Sequence, residues 1–196
     1  MKRGIFITIY GINNIGKSTH AKRLVRRLKA AGKKAVYLKY PIYTLKPTGP
    51  LLNSILRSKK QTMSEEELQL WFVLNRFHFQ PRLEAMLKKG TIVIAEDYVG
   101  TALAWGAAKG ADPKELAAMN TFLVQEDLAI YFSGKRDEKA TEAQHIHETN
   151  RRLIERCQKQ YERLARSLKW SRVAVAADPE VTAERLWKAV TAHFDF

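Results

Sequence analysis

Eight residues near the N-terminus, Gly11-Ile12-Asn13-Asn14-Ile15-Gly16-Lys17-Ser18, have the spacing G-x-x-x-x-G-K-[ST]. Two glycines let a short loop bend until successive backbone N–H groups face inward on an anion. The lysine can then reach the β- and γ-phosphates of a nucleoside triphosphate, and the hydroxyl that follows can hold Mg²⁺. The residues that would cradle ATP are Gly11, Asn13, Asn14, Ile15, Gly16, Lys17, Ser18 and Thr19. A second chemically able pair, Glu96-Asp97, closes the apolar run Thr91-Ile92-Val93-Ile94-Ala95. One carboxylate facing a triphosphate could hold Mg²⁺ through water, and the other could orient, or take a proton from, an attacking oxygen. Adjacent strand residues point to opposite sides, so only one of the two is expected to face the site.

These groups act only where the surrounding elements bring them together. Residues 4–10 read as a buried strand leading into the loop. Residues 17–31 read as an amphipathic helix with Leu24, Val25 and Leu28 inward and Gly32 as its stop. The strand reading extends to residues 35–38, 91–95, 128–132 and 172–176, each a short apolar run. Between them, Pro41 to Pro50 is a Pro/Gly-rich loop, and a helix passes through Leu51, Leu52, Ile55 and Leu56. Ser64-Glu65-Glu66-Glu67 is a capping box for a long helix to Gly90, with a break expected at Pro81. Helices are further expected at about 100–109, at 113–124 capped by Asp112, at 148–168, and after Asp178-Pro179. Continuously apolar strands alternating with helices predict an α/β fold, a P-loop NTPase with a five-stranded parallel sheet flanked by helices on both faces. In such sheets ligands bind beyond the carboxyl ends of the strands, where the loop, Pro41–Pro50, Glu96-Asp97 and the segment from Ser133 onward all fall.

A chain of 196 residues fits one domain, 1–196, with residues from about 133 to 150 read as a mobile lid. No run is apolar enough to span a membrane, and the N-terminus has no signal-peptide pattern. The one cysteine, Cys157, excludes an intrachain disulfide framework and fits a cytoplasmic location; it reads as a partly buried packing residue. Fifteen of the 34 Lys and Arg residues, and none of the 20 Asp and Glu residues, lie in the first 60 positions. Such a basic half could draw in polyphosphate substrates or bind nucleic acid; the absence of a basic motif interleaved with aromatics favours the former. His145 and His147 lack companion ligands at metal spacing, which argues against a zinc site.

The order of pieces resembles the thymidylate kinase branch of the P-loop nucleoside monophosphate kinases. The resemblance covers nearly the whole chain. It rests on Gly11 to Thr19; Leu38-Lys39-Tyr40-Pro41; Leu74-Asn75-Arg76; Glu96-Asp97-Tyr98 with Thr101, Ala104 and Trp105; and Tyr161-Glu162-Arg163-Leu164-Ala165. It implies a kinase that moves the ATP γ-phosphoryl group to a pyrimidine deoxynucleoside monophosphate, most simply dTMP. It also implies Mg²⁺, a homodimer and a role in nucleotide biosynthesis. Phe72 would stack on the base and Arg76 would hydrogen-bond it, with Tyr43, Asp97, Tyr98, Thr101 and Trp105 completing the acceptor side. Glu96 matches the family aspartate and, with Ser18, would hold the metal. Lys17, Glu96 and Arg136 would be catalytic, Arg136 because this loop offers no cation and the lid, bracketed by Lys135-Arg136 and Arg151-Arg152, must supply it.

Three positions depart from the family. Asp97 stands where the family has an arginine that grips the acceptor phosphate, so that contact reverses sign. Ile42-Tyr43-Thr44 follows Pro41 without the usual arginine, and Asn13-Asn14 replaces an acidic residue. A phosphate grip would then be rebuilt from Lys39, Lys46 or Arg57. Two other readings stay open at this point: a nucleoside kinase with a 5′-hydroxyl near Glu96, and an ATP-switched protein whose basic face binds nucleic acid.

Overall fold

A computed structural model describes residues 3–58, 61, 63–135 and 150–196. Five strands, β1 (Phe6–Tyr10), β2 (Ala35–Lys39), β3 (Ile92–Glu96), β4 (Leu128–Ser133) and β5 (Ser171–Ala174), form one sheet in the order β2-β3-β1-β4-β5. Every pairing is parallel. Every residue of β1, β3 and β4 is buried, which is why these runs are apolar without alternation, whereas the edge strands β2 and β5 are only partly covered. The helices are α1 (Lys17–Ala30), α2 (Thr48–Leu56), α3 (Glu65–Lys88), α4 (Val99–Lys109), α5 (Pro113–Ala118), α6 (Arg151–Ser167) and α7 (Pro179–Thr191). Helix α1 packs on β1, β2, β3 and α7, while α3 packs on β3 and on α4, which in turn packs on α6.

The caps form as their residue types require. Ser64 Oγ accepts the Glu67 amide, and the Asp112 and Asp178 carboxylates accept amides in the first turns of α5 and α7. Two helix expectations need correction. Helix α3 continues through Pro81, because that residue lies on the exposed face while Phe79, Leu83 and Leu87 hold the flanking turns in the core. Helix α5 ends at Ala118 instead of 124. The buried Asn120 side chain donates to the Leu116 carbonyl at 2.7 Å and so competes with the helical bond. The loop after Pro41 is also shorter than expected, since α2 already begins at Thr48.

Cys157 is fully buried, more so than expected, and burial pushes its thiol well above the ordinary value. Part of the basic charge of α1 is answered by α7: Arg23 and Arg27 pair with Glu180 and Glu184 at 2.6 and 2.5 Å. Gly100, in the first turn of α4, has no room for a side chain. An added Cβ would lie 2.5 Å from Trp170 Cη2 and 2.8 Å from Tyr10 Cζ, whose rings stack at 4.5 Å. Gly100→Ala is therefore expected to lower the unfolding free energy by about 1–3 kcal/mol, read as a lower urea midpoint at unchanged slope.

Candidate active site

The loop after β1 takes the shape its glycines permit. Gly11 (φ +147°), Asn14 (φ +63°) and Gly16 (φ +93°) carry positive φ, and Gly16 leads directly into α1. The loop's amides and the positive end of α1 thereby converge on one point. Lys17 is almost fully buried. Its Nζ donates to the Gly11 and Ile12 carbonyls at 2.8 and 3.0 Å and lies 3.7 Å from Asp97 Oδ1.

Glu96, the last residue of β3, is the hub of the site. Its Oε2 accepts the Ser18 and Tyr37 hydroxyls, each at 2.5 Å, and its Oε1 lies 3.2 Å from Lys39 Nζ. Strand register explains the last two contacts. Lys39 is the cross-strand partner of Glu96, and Tyr37, two residues back on β2, shares its face. Burial alone would raise the Glu96 carboxyl; Lys17, Lys39 and the two hydroxyls outweigh it and hold Glu96 below the usual carboxylate range. Asp97 is the opposite case. Burial raises it, Lys17 opposes, Glu96 reinforces, and the carboxyl ends above the usual range despite the Thr101 hydroxyl donating to it at 2.8 Å.

The expectation that one of these two carboxyls would face away is not met. Asp97 adopts φ +59°, so strand alternation ends at Glu96 and both side chains enter the same cleft. That cleft has a volume of about 700 Å³. Its walls include the loop from Asn13 to Thr19, together with Tyr43, Phe72, Arg76, Tyr98, Thr101 and Trp105. Phe72 is half-buried and packs beside Leu52, Ile55 and Leu68; Arg76, one turn further along α3, is buried. Burial lowers the Arg76 guanidinium from its ordinary value, the Tyr98, Tyr10 and Tyr40 hydroxyls opposing. Arg76 donates to Asn120 Oδ1 at 3.1 Å, while its Nε has no partner among the described residues.

Of the cations considered for a phosphate, Lys39 and Arg57 line the cleft and Lys46 does not. The Arg57 guanidinium lies over the Tyr43 ring at 5.4 Å. Arg136, His145 and His147 lie outside the described residues, whereas Lys135 lines the cleft. Ser18 and Glu96 set two hard oxygen donors together at the loop's mouth. That pair suits Mg²⁺, which usually completes its shell with phosphate oxygens and water.

Several contributors escape a reading of the sequence alone. Asn75 fastens the post-Pro41 loop to α3, accepting the Ile42 amide at 2.7 Å and donating to Ile42 O and Thr48 Oγ1 at 3.1 and 3.0 Å. Tyr161 holds Thr101 from α6, donating to its hydroxyl at 3.1 Å. Tyr37 had a usable signal, being two positions before Lys39 on one strand face; the others depend on elements distant in the chain.

A model of the thymidylate kinase family matches residues 9–185. The thymidylate kinase of African swine fever virus (strain Badajoz 1971 Vero-adapted) is 35% identical over 149 residues, 75% of this chain; the match spans 59% of the viral protein. The human thymidylate kinase is 32% identical over 108 residues, 55% of this chain and 50% of the human one. Among solved structures, a thymidylate kinase from Candida albicans superposes with a TM-score of 0.79, covering 97% of this chain and 92% of that one at 21% identity, a likeness of fold.

Proposed function

Since the chain belongs to the thymidylate kinase family, we propose that it transfers the γ-phosphoryl group of ATP to a pyrimidine deoxynucleoside monophosphate, dTMP above all, giving the diphosphate and ADP. One observation carries the reading. A single cleft is lined by the phosphate loop, by the Glu96-Asp97 pair, and by Phe72 and Arg76 of α3.

In this reading the loop amides and Lys17 hold the donor phosphates, and Lys17 follows the charge that builds on the leaving ADP oxygen. Ser18 and Glu96 would hold Mg²⁺, which neutralises phosphate charge when bound. The reacting bond forms between the γ-phosphorus and an acceptor phosphate oxygen as the bond to ADP breaks. That oxygen is already ionised, so no base is required. Phe72 stacks on the base, Arg76 hydrogen-bonds it, and Tyr98, Thr101 and Trp105 shape the sugar side. Lys39 and Arg57, with Tyr43 beneath the guanidinium, take over the phosphate grip that the family places on arginines missing here. Arg136 is the cation proposed to close over the transfer.

Asp97 is tolerated beside a phosphate because Lys17 lies against it and because its carboxyl ionises late. Asp97→Asn keeps an acceptor for the Thr101 hydroxyl and removes the charge. It is expected to lower the KM for dTMP about 3- to 10-fold with little change in kcat, measured at pH 8 where the wild-type carboxyl is most ionised. On α3, the exposed Leu70, Leu74 and Phe77, with Phe122 against Phe77, form an apolar stripe that supports a homodimer. The single buried Cys157 supports a reducing, cytoplasmic setting; among the described residues no helix is long and apolar enough to cross a membrane.

The test is a coupled ADP-release assay with ATP and Mg²⁺, comparing dTMP with dUMP, dCMP and dGMP. Turnover with dTMP is the expected result. Silence with every nucleotide, together with salt-sensitive DNA or RNA binding, would favour the nucleic-acid reading instead.

A further inference from the structure

Tyr37 touches the site without forming part of its wall. It lies on β2, is half-buried and does not line the cleft, so its route to anything bound there runs through another residue. That residue is Glu96. The Tyr37 hydroxyl donates to Glu96 Oε2 at 2.5 Å, the same oxygen that accepts the Ser18 hydroxyl. Lys22 Nζ lies 5.4 Å from the centre of the Tyr37 ring. Lys22 follows Ser18 by one turn of α1, so one side of that helix supplies both a hydroxyl for Glu96 and a cation over Tyr37. On the sheet, Tyr37 and Lys39 share a face of β2, and Lys39 is the register partner of Glu96. Helix α1 and strand β2 thus grip one carboxylate between them.

The donors divide unevenly between its two oxygens. A carboxylate oxygen offers about two lone-pair directions. Both directions of Oε2 are taken by hydroxyls, and Oε1 meets Lys39 Nζ at 3.2 Å, on a side chain that is half-exposed. Oε1 is therefore the oxygen left to face a metal or the water around it. The Ser18 proton points to Oε2, which leaves the Ser18 lone pairs for the same cation. Without the Tyr37 hydroxyl, Oε2 would keep Ser18 alone. The terminal torsion of a glutamate is broad, so the carboxylate could then turn and exchange its oxygens.

We propose that Tyr37 is a positioning residue for the metal site: its hydroxyl fixes the Glu96 carboxylate so that Oε1 and the Ser18 oxygen face Mg²⁺ together. The inference rests on the reading of Ser18 and Glu96 given above. It adds the residue on β2 that makes the two a preformed ligand pair. Groups that orient a metal's ligands are worth about 10-fold or more in metal affinity.

The test compares the native chain with Tyr37→Phe, which keeps the ring beneath Lys22 and removes one oxygen. Calorimetry measures binding of the β,γ-imido analogue of ATP, once with Mg²⁺ and once with EDTA. The gain in affinity that Mg²⁺ brings is expected to fall about 10-fold in Tyr37→Phe, with the metal-free affinity unchanged. In turnover with ATP and dTMP, the Mg²⁺ concentration for half-maximal rate should rise by a similar factor while the KM for dTMP stays the same. A double-mutant cycle reads the route: in Glu96→Gln, adding Tyr37→Phe should leave the remaining gain unchanged. Equal gains in the native protein and Tyr37→Phe would overturn the proposal, and so would independent, additive losses in the cycle. An equal loss of metal-free binding would overturn it too, marking Tyr37 as a support of the fold alone. Absence of dTMP turnover would strike only the kinase reading, since the calorimetric comparison involves no acceptor.

Discussion

Lys17→Met is expected to lower kcat about 10³-fold while shifting the affinity for ATP far less. Lys17 sits where the loop brings two carbonyls and Asp97 around a buried ammonium. In the proposed transfer its charge would be needed most in the transition state, when negative charge moves from the γ-phosphate to the leaving ADP oxygen. The loop amides would already hold the phosphates in the ground state. Methionine keeps most of the apolar stem and removes only the charge. The cost to the fold should be small, because Asp97, left without its cation, can take a proton: its carboxyl already stands above the usual range. Single-turnover kinetics separate the two effects, and a thermal midpoint within a few degrees of the native one confirms that the fold survives.

Glu96→Gln is the second large effect, a fall in kcat of about 10²- to 10³-fold at saturating ATP and Mg²⁺. The Glu96 carboxylate gathers Ser18, Tyr37 and Lys39 on its two oxygens. A neutral amide cannot accept on both ends, and it is a weaker metal ligand. The pH dependence distinguishes this from simple loss of packing. Glu96 ionises below its ordinary value in the folded chain, so it contributes stability that is complete above the usual carboxylate range. That contribution is lost as pH falls through the depressed folded value. The native protein should therefore lose stability on the acid side, and Glu96→Gln should remove that part of the loss. Asp97 works in the other direction: its raised value means that the folded state is penalised as pH rises above the usual range. Urea midpoints between pH 3 and pH 7 read both signs.

The parts of this molecule that were legible from its residues are those decided locally. Continuous apolar runs marked β1, β3 and β4 because both faces of the sheet are covered there, while β2 and β5 were legible as shorter apolar runs although they are only partly covered. Glycine and lysine spacing marked the loop, and Ser64, Asp112 and Asp178 marked helix starts. The sheet order was not legible, since pairing β1 with β3 and β4 depends on contacts far apart in the chain. Proline propensity misled at Pro81, which lies on the exposed face of a helix whose flanking turns are packed in the core. Strand alternation misled at Asp97, because a single left-handed residue turns the side chain back into the cleft. What balances the Asp97 charge was not legible either: Lys17, eighty residues earlier, lies 3.7 Å from it. Asn75 belongs to the same class, an ordinary polar residue on a helix until tertiary structure sets it against the loop after Pro41.

The most direct test of the central claim is a competition in one tube. ATP labelled in its γ-phosphate is mixed with the protein, Mg²⁺ and equal amounts of dTMP and thymidine, and the labelled products are separated by chromatography. The expected result is label in the β-phosphate of dTDP, appearing in step with ADP. Label in newly formed dTMP would mean that a 5′-hydroxyl is the acceptor and that Asp97 marks a nucleoside kinase; label only in inorganic phosphate would mean that the cleft hydrolyses ATP and transfers nothing.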